Sequence, residues 1–137
     1  MNNEARIPIQ RSEDIVTARE LARGMARTAG FNGSDLTLIA TAISEVTRNI
    51  VEHAERGELL LSLVHSGNKR GITIVARDEG PGIPDVQRAM QYGYSSRRGL
   101  GVGLPGAKWL MDEFDIVSKV GVGTTVTMKK WLQKNAK

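Results

Sequence analysis

The sequence contains no cysteine and only two histidines, His53 and His65. The absence of cysteine excludes a disulfide framework and catalysis by a thiol. The two histidines fall on different predicted elements, and they are too few for a zinc site. A hard cation bound by oxygen ligands is the kind of metal site that this composition leaves open.

Aromatic residues and long apolar runs are also scarce. Aromatic residues make up 4% of the chain, which leaves little for stacking on nucleic-acid bases. No segment approaches the roughly 20 apolar residues that a helix needs to span a bilayer, so we expect no membrane insertion. The amino-terminal stretch MNNEARIPIQ has no basic region leading into an apolar one. We therefore expect no secretory signal and a cytoplasmic protein.

The length and charge of the chain limit its partners. The 137 residues suit one domain with a buried core, so we predict a single domain over residues 1–137. The formal net charge is +4, with short basic runs at Arg97-Arg98 and Lys129-Lys130 and a lysine-rich tail. Because the other basic residues are scattered, an anionic nucleotide fits this charge better than a nucleic acid, which stays as an alternative.

Hydrophobic periodicity predicts an α+β fold. Strands are predicted at 5–10, 58–64, 71–76, 114–120 and 124–132. Helices are predicted from Ser12, as N-cap, to about residue 30, from 32–35 to about 54, at 86–90, and from 99–103 to about 112. Hairpin connections between the strands predict a two-layer α/β sandwich, with the helices on one face of a mixed, mainly antiparallel sheet.

The second helix carries the first candidate site residues. Glu45 and Asn49 are spaced i and i+4, so their side chains lie one turn apart, beside the apolar stripe of the helix. At the border of a cleft, the carboxylate could receive a proton and the amide oxygen could bind magnesium. The alternative is that both are solvated surface residues.

A second group follows the third predicted strand, in the sequence Asp78-Glu79-Gly80-Pro81-Gly82. A carboxylate at a strand end can accept a hydrogen bond from an exocyclic amine such as that of adenine. The glycines would let a flat base approach the backbone. The alternative is a plain turn, because Asp, Gly and Pro are common turn residues.

Two glycine-rich segments complete the candidates. Gly99, Gly101 and Gly103 open a helix, where backbone N–H groups can hold phosphate oxygens, although a hinge has the same composition. The spacing matches neither the dinucleotide fingerprint nor a Walker A loop. Gly123-Thr124-Thr125 begins the last strand. A threonine hydroxyl there could support Asp78 or a bridging water, unless this is an ordinary hairpin strand.

The order of these segments resembles that of the GHKL (Bergerat-fold) ATPase superfamily, which includes gyrase, Hsp90, histidine kinases and MutL. Its signature is E-x-x-x-N on a helix, D-x-G-x-G after a strand, a lid, G-x-G-x-G at a helix start, and G-T on the last strand. The corresponding segments in this chain, in order, are 45–49, 78–82, 92–98, 99–103 and 123–124. Agreement of four boxes in order and context makes the combined pattern specific.

Within the superfamily, the short lid and single domain set aside gyrase, Hsp90 and MutL. A sensor histidine kinase would need a helical hairpin with a phosphoacceptor histidine, and neither His53 nor His65 is placed for that role. The chain looks most similar to the small stand-alone kinases of bacterial partner-switching systems, related to the anti-sigma factors. This branch implies a serine/threonine kinase in the stress-signalling assembly called the stressosome.

The resemblance also implies residue roles. Asp78 would read the adenine amine, Asn49 would bind magnesium, and Glu45 would act as the general base. The full set of implied ATP-binding residues is Asn49, Asp78, Gly80, Gly82, Ile83, Gly99, Leu100, Gly101, Val102, Gly103, Leu104, Thr124 and Thr125. The roles of Arg97 and Arg98, in phosphate or partner contact, stay open.

The resemblance further implies the cofactors and partners of the chain. The cofactors would be ATP and Mg²⁺. The substrates would be STAS-domain proteins, and release from them would let the kinase bind and activate a PP2C-type phosphatase. The alternative function is an anti-sigma factor that binds and inhibits a sigma factor.

Overall fold

A computed structural model describes residues 3–90 and 103–132, which form five strands and four helices. Every predicted element has a counterpart within two or three residues of its expected ends; of the predicted start of the last helix at 99–103, only residue 103 is described. The elements in chain order are β1 (Glu4–Ile9), α1 (Ser12–Ala29), α2 (Ser34–His53), β2 (Gly57–Ser66), β3 (Lys69–Asp78), α3 (Val86–Ala89), α4 (Gly103–Leu110), β4 (Glu113–Lys119) and β5 (Gly123–Trp131).

The strands form one sheet in the order β1-β2-β3-β5-β4. All four pairings among the described strands are antiparallel. The prediction of a mixed, mainly antiparallel sheet allowed a parallel pair, and the described strands contain none. The helices α1 and α2 pack against the sheet, and α4 packs against α2. The predicted α+β class with a helical layer on an antiparallel sheet is confirmed.

The core lies between the helices and one face of the sheet. In β5 the side chains alternate, so that Val126 and Met128 are buried while Thr125, Thr127 and Lys129 stay half-exposed. The helix α2 contributes the apolar stripe that includes Ile39, Ile43 and Ile50. The stripe holds α2 in a fixed orientation, and this determines which of its flanks borders the site.

The first helix begins differently from the prediction. Arg11, not Ser12, is the N-cap, and Ser12 is the first helical residue. The exposed backbone N–H groups of Gln10 and Arg11 donate to Asp14 Oδ2 at 2.8 and 3.0 Å. These bonds, the one from Arg11 first, lower the pKa of Asp14 from its ordinary value of 3.8. The Asp14 carboxylate therefore accepts the N–H groups that lead into the helix, as the third helical residue does in a capping box.

The carboxyl end of α4 is held by a buried lysine. Lys130 is 8% exposed, and its Nζ donates to the carbonyl oxygen of Leu110 at 3.3 Å. A cation at a helix carboxyl end is favoured by the unpaired carbonyls and by the helix dipole. This contact ties α4 to β5. None of the helices in the described ranges is both long and apolar enough to cross a membrane.

Candidate functional site

The site lies where β3 ends and β5 begins. The register pairs Asp78 with Gly57 on one side and with Thr124 on the other. Asp78 and Thr124 lie on the helix-covered face of the sheet, with the side chains of Ala76 and Val126. Antiparallel pairing thus brings together two predicted boxes that are 46 residues apart along the chain.

Asp78 is fixed by backbone donors on one of its two carboxylate oxygens. Its Oδ1 accepts the N–H of Gly80 at 2.9 Å and the N–H of Thr124 at 3.3 Å. Its Oδ2 has no protein partner in residues 3–90 and 103–132. Because every fully buried side-chain oxygen or nitrogen in those ranges is hydrogen-bonded, Oδ2 must be accessible from outside. Asp78 is only 8% exposed, so Oδ2 is an oriented acceptor at an otherwise buried position. This arrangement suits recognition of an amine donor.

The glycines of the D-x-G-x-G box are required by close packing of protein segments. A Cβ on Gly80 would lie 2.6 Å from the Cβ of Ala54, and a Cβ on Gly82 would lie 2.7 Å from the carbonyl carbon of Lys119. Gly82 also has a positive φ of 81°. At these positions the missing side chain lets the loop approach α2 and β4, whereas the sequence suggested the approach of a base.

Ser118 is a site residue that the sequence analysis missed. Its Oγ accepts the backbone N–H of Ile83 at 2.7 Å and lies 2.7 Å from the hydroxyl of Thr124. The Thr124 hydroxyl therefore contacts Ser118, and the support expected for Asp78 comes from the Thr124 backbone instead. Ser118 alternates with exposed residues along β4 and precedes the glycine turn. That placement is the only sequence signal for it, and ordinary edge strands share it.

Glu45 is buried at the amino end of α4. Its side chain is 7% exposed; Oε1 accepts the N–H of Gly103 at 3.0 Å and Oε2 accepts Nη1 of Arg48 at 2.9 Å. The sequence placed Glu45 beside the apolar stripe, and packing of α4 on α2 covers that flank. The carboxylate thus lies at the positive end of a helix dipole, at one of the N–H groups predicted to face phosphate.

Asn49 lies one turn after Glu45 and is half-buried. Its amide has no hydrogen-bond partner in the described ranges and is not fully enclosed, so its oxygen is available to a ligand. Those ranges contain no cluster of three or more acidic or histidine side chains that could hold a metal alone. Magnesium is commonly bound by one or two protein oxygens together with phosphate and water, so Asn49 fits a role as its single protein ligand.

One predicted residue lies apart from this arrangement, and several others lie outside the described residues. Thr125 follows Thr124 on β5, so its side chain lies on the opposite face of the sheet, away from Asp78. The lid at 92–98, with Arg97 and Arg98, lies outside the described residues, as do Gly99, Leu100, Gly101 and Val102. From the third box the structure describes Gly103, with a φ of 68°, and the buried Leu104.

The structure thus describes two groups of candidate residues: an oriented carboxylate at the end of β3, and an amide and a carboxylate on α2 at the amino end of α4. Their chemistry suits a nucleotide. Over residues 10–130 the chain matches the family described as the histidine kinase-like ATPase domain. The chain belongs to this family, and the resemblance predicted from the four boxes is confirmed.

Individual relatives agree with this assignment. The chain is 45% identical to the serine/threonine-protein kinase RsbT of Bacillus subtilis (strain 168), over 97% of this chain and 100% of the relative. It is 31% identical to an anti-sigma F factor of Caldanaerobacter subterraneus subsp. tengcongensis, covering 93% of this chain and 92% of that protein. Among solved structures, the nucleotide-free catalytic domain of histidine kinase ThkA matches with a TM-score of 0.52 at 15% identity, covering 92% of this chain and 95% of that domain, which shows a shared fold.

Proposed function

We propose that this chain transfers the γ-phosphoryl group of ATP to a serine or threonine hydroxyl of a STAS-domain partner protein. The observation that carries the proposal is the buried Glu45 carboxylate, held at the amino end of α4 and one turn from Asn49. A carboxylate in this position can take a proton from a hydroxyl that approaches phosphate bound at the same helix end.

The enzyme class follows from the family and the relatives. The chain is a serine/threonine protein kinase, since it shares 45% identity over nearly its whole length with a protein of that name. Its kinase-like ATPase domain implies ATP as the phosphoryl donor. The roles of single residues rest on the geometry of the site and are part of the proposal.

In the proposed reaction, Asp78 Oδ2 accepts a hydrogen bond from the adenine amine and thereby orients the nucleotide. Asn49 would hold Mg²⁺, which would neutralise charge on the phosphate oxygens. The partner hydroxyl oxygen bonds to the γ-phosphorus while the bond from that phosphorus to the β–γ bridging oxygen breaks. The hydroxyl proton passes to Glu45, and ADP leaves with the bridging oxygen. Because an ordinary glutamate with a pKa of about 4.3 is a weak base for a hydroxyl, positioning and charge neutralisation supply most of the acceleration.

The partner cycle is the finer part of the proposal. Phosphorylation of STAS-domain proteins would release the kinase, which would then bind and activate a PP2C-type phosphatase in the cytoplasm. The second candidate function is that of an anti-sigma factor, which is supported by the 31% identity to an anti-sigma F factor over nearly the whole chain. The two functions would use the same proposed nucleotide contacts, so only the partner protein distinguishes them.

The test of the proposal is phosphoryl transfer from labelled ATP and Mg²⁺ to candidate STAS-domain proteins, beside binding assays with sigma factors and a PP2C-type phosphatase. We expect transfer to a STAS-domain protein and no inhibitory complex with a sigma factor. Tight ATP-dependent binding of a sigma factor without transfer to any STAS-domain protein would favour the second candidate.

Glu45→Gln tests the base assignment more sharply than Glu45→Ala. Glutamine retains an oxygen that can accept the Gly103 N–H, so the amino end of α4 keeps its partner while the proton acceptor is lost. We expect ATP affinity to be retained and transfer to fall by about 10² to 10⁴ in both variants. Transfer at the wild-type rate in Glu45→Gln would refute the role of Glu45 as the base.

A further inference from the structure

Arg48 lies beside the proposed base, at a variable position of the E-x-x-x-N box. It stands three residues after Glu45 on α2, and its Nη1 donates to Glu45 Oε2 at 2.9 Å. We infer that Arg48 is the positioning residue for Glu45: it fixes the plane of the carboxylate against the amino end of α4. This inference rests on the proposed function for its effect on transfer, but not for the contact itself.

The burial of the two side chains shows why the pair matters. Glu45 is 7% exposed and Arg48 is 35% exposed. Ion pairs between exposed side chains contribute little, because water screens them. A carboxylate removed from water requires compensation, and loss of one partner from a buried pair is costly. Arg48 therefore supplies a hydrogen-bonded cationic partner to a Glu45 side chain that is nearly closed off from water.

The two ends of the carboxylate are held by different elements. Oε1 is bonded to the backbone of α4 through Gly103, and Oε2 is bonded to α2 through Arg48. Each of these bonds restrains the terminal torsion of the side chain, which by itself has a broad preference. Both bonds together select one orientation, and a base displaced by about 1 Å can lose about 10²-fold in rate.

The bonding of the guanidinium agrees with a positioning role. A guanidinium has five N–H donors, and Arg48 makes no hydrogen bond or ion pair within residues 3–90 and 103–132 other than the one to Glu45. Arg48 is therefore not occupied in joining other parts of the fold. Its described contact serves the carboxylate alone.

The experiment compares Arg48→Ala and Arg48→Lys with a matched control. Arg19→Ala is suitable, because Arg19 has the same 35% exposure and is paired with a glutamate, Glu20, on α1. In Arg48→Ala we expect kcat for transfer to fall about 10²-fold with KM for ATP unchanged. In Arg48→Lys the kcat should fall less, since lysine restores the positive charge but not the planar guanidinium. The control should transfer at the wild-type rate.

Two further measurements separate positioning from other roles. Hydrogen exchange at the Gly103 amide should be faster in Arg48→Ala than in wild type, because a carboxylate that Arg48 no longer restrains protects that N–H less. In a Glu45→Gln background, adding Arg48→Ala should change the residual transfer by no more than about twofold, since the residue it positions is already absent.

Each outcome decides the inference. A further large loss in the Glu45→Gln background would overturn it, because Arg48 would then act on the reaction directly. Equal transfer in Arg48→Ala and Arg19→Ala would also overturn it. If the wild-type protein transfers no phosphoryl group at all, the proposed function fails. The exchange rate at Gly103 still decides the contact: faster exchange in Arg48→Ala supports positioning and an unchanged rate refutes it.

Discussion

The substitution Asp78→Asn should weaken nucleotide binding while leaving the D-x-G-x-G loop intact. Oδ1 of Asp78 accepts two backbone N–H groups, from Gly80 and Thr124. An asparagine oxygen at the same position can accept both, so these two donors determine how the amide is oriented. The amide NH₂ must then occupy the position of Oδ2, where it presents a donor to the donor of adenine.

The expected loss follows from this mismatch. A buried donor left without a partner costs about 1 to 3 kcal/mol, which is about a 5-fold to 150-fold weakening of ATP binding. GTP carries an acceptor at the position of the adenine amine, so its affinity should fall less or rise. Calorimetric titration of wild type and Asp78→Asn with both nucleotides measures the two effects.

Asp112→Asn is the matched control, because Asp112 also accepts a backbone N–H, that of Trp131 at 2.7 Å, but lies at the far end of the sheet. We expect it to bind ATP with wild-type affinity. If Asp78→Asn bound ATP as tightly as this control, the reading of Asp78 as the adenine contact would have to be abandoned.

Two further variants test the support of the site and of the fold. Ser118→Ala removes the acceptor of the Ile83 N–H and should lower the free energy of unfolding by about 1 kcal/mol and weaken ATP binding. Ser62→Ala, at a half-buried serine whose side chain has no hydrogen bond in the described ranges, should do neither in denaturation and titration experiments. Asp14→Ala should lower the free energy of unfolding, measured in urea at neutral pH, by about 0.5 kcal/mol. This value is low for a helix cap because the carboxylate is exposed to water. The control Glu13→Ala should lower it less. Because the pKa of folded Asp14 is lowered, its contribution is complete above pH 3.8 and disappears as the pH falls through the lower folded-state pKa, so a difference that persists in strong acid would contradict the cap.

Much of the fold was predictable because local patterns and tertiary packing agree. The alternation in β5 and the three-four spacing in α2 each require one buried face, and the sheet and helix layer bury those faces against each other. The start of α1 was not predictable in detail. Serine is a common N-cap, but Asp14 can fix the start of the helix by accepting the N–H groups of Gln10 and Arg11, and the sequence permits both arrangements.

The glycines of the site show a different limit. Sequence patterns indicate that Gly80 and Gly82 need freedom from a side chain, but they do not indicate which neighbour occupies the space. The neighbours are Ala54 and Lys119, which lie on separate elements and come close only in the folded chain. Ser118 was missed for the same reason, since its partner Ile83 is 35 residues away. The role of Thr125 as an ATP ligand stays a prediction that its place on the open sheet face does not support.

The contacts of Glu45 explain how weak single boxes become a functional unit. On its own helix Glu45 is one more flank residue, and its burial depends on α4, which begins 58 residues later. Lys130 holds the carboxyl end of α4 to the sheet, so the amino end of that helix reaches Glu45 in a fixed place. The D-x-G-x-G and G-T boxes are likewise joined through Asp78 and Thr124. Each box thus positions a residue of another, which is why their order along the chain is more specific than any box alone.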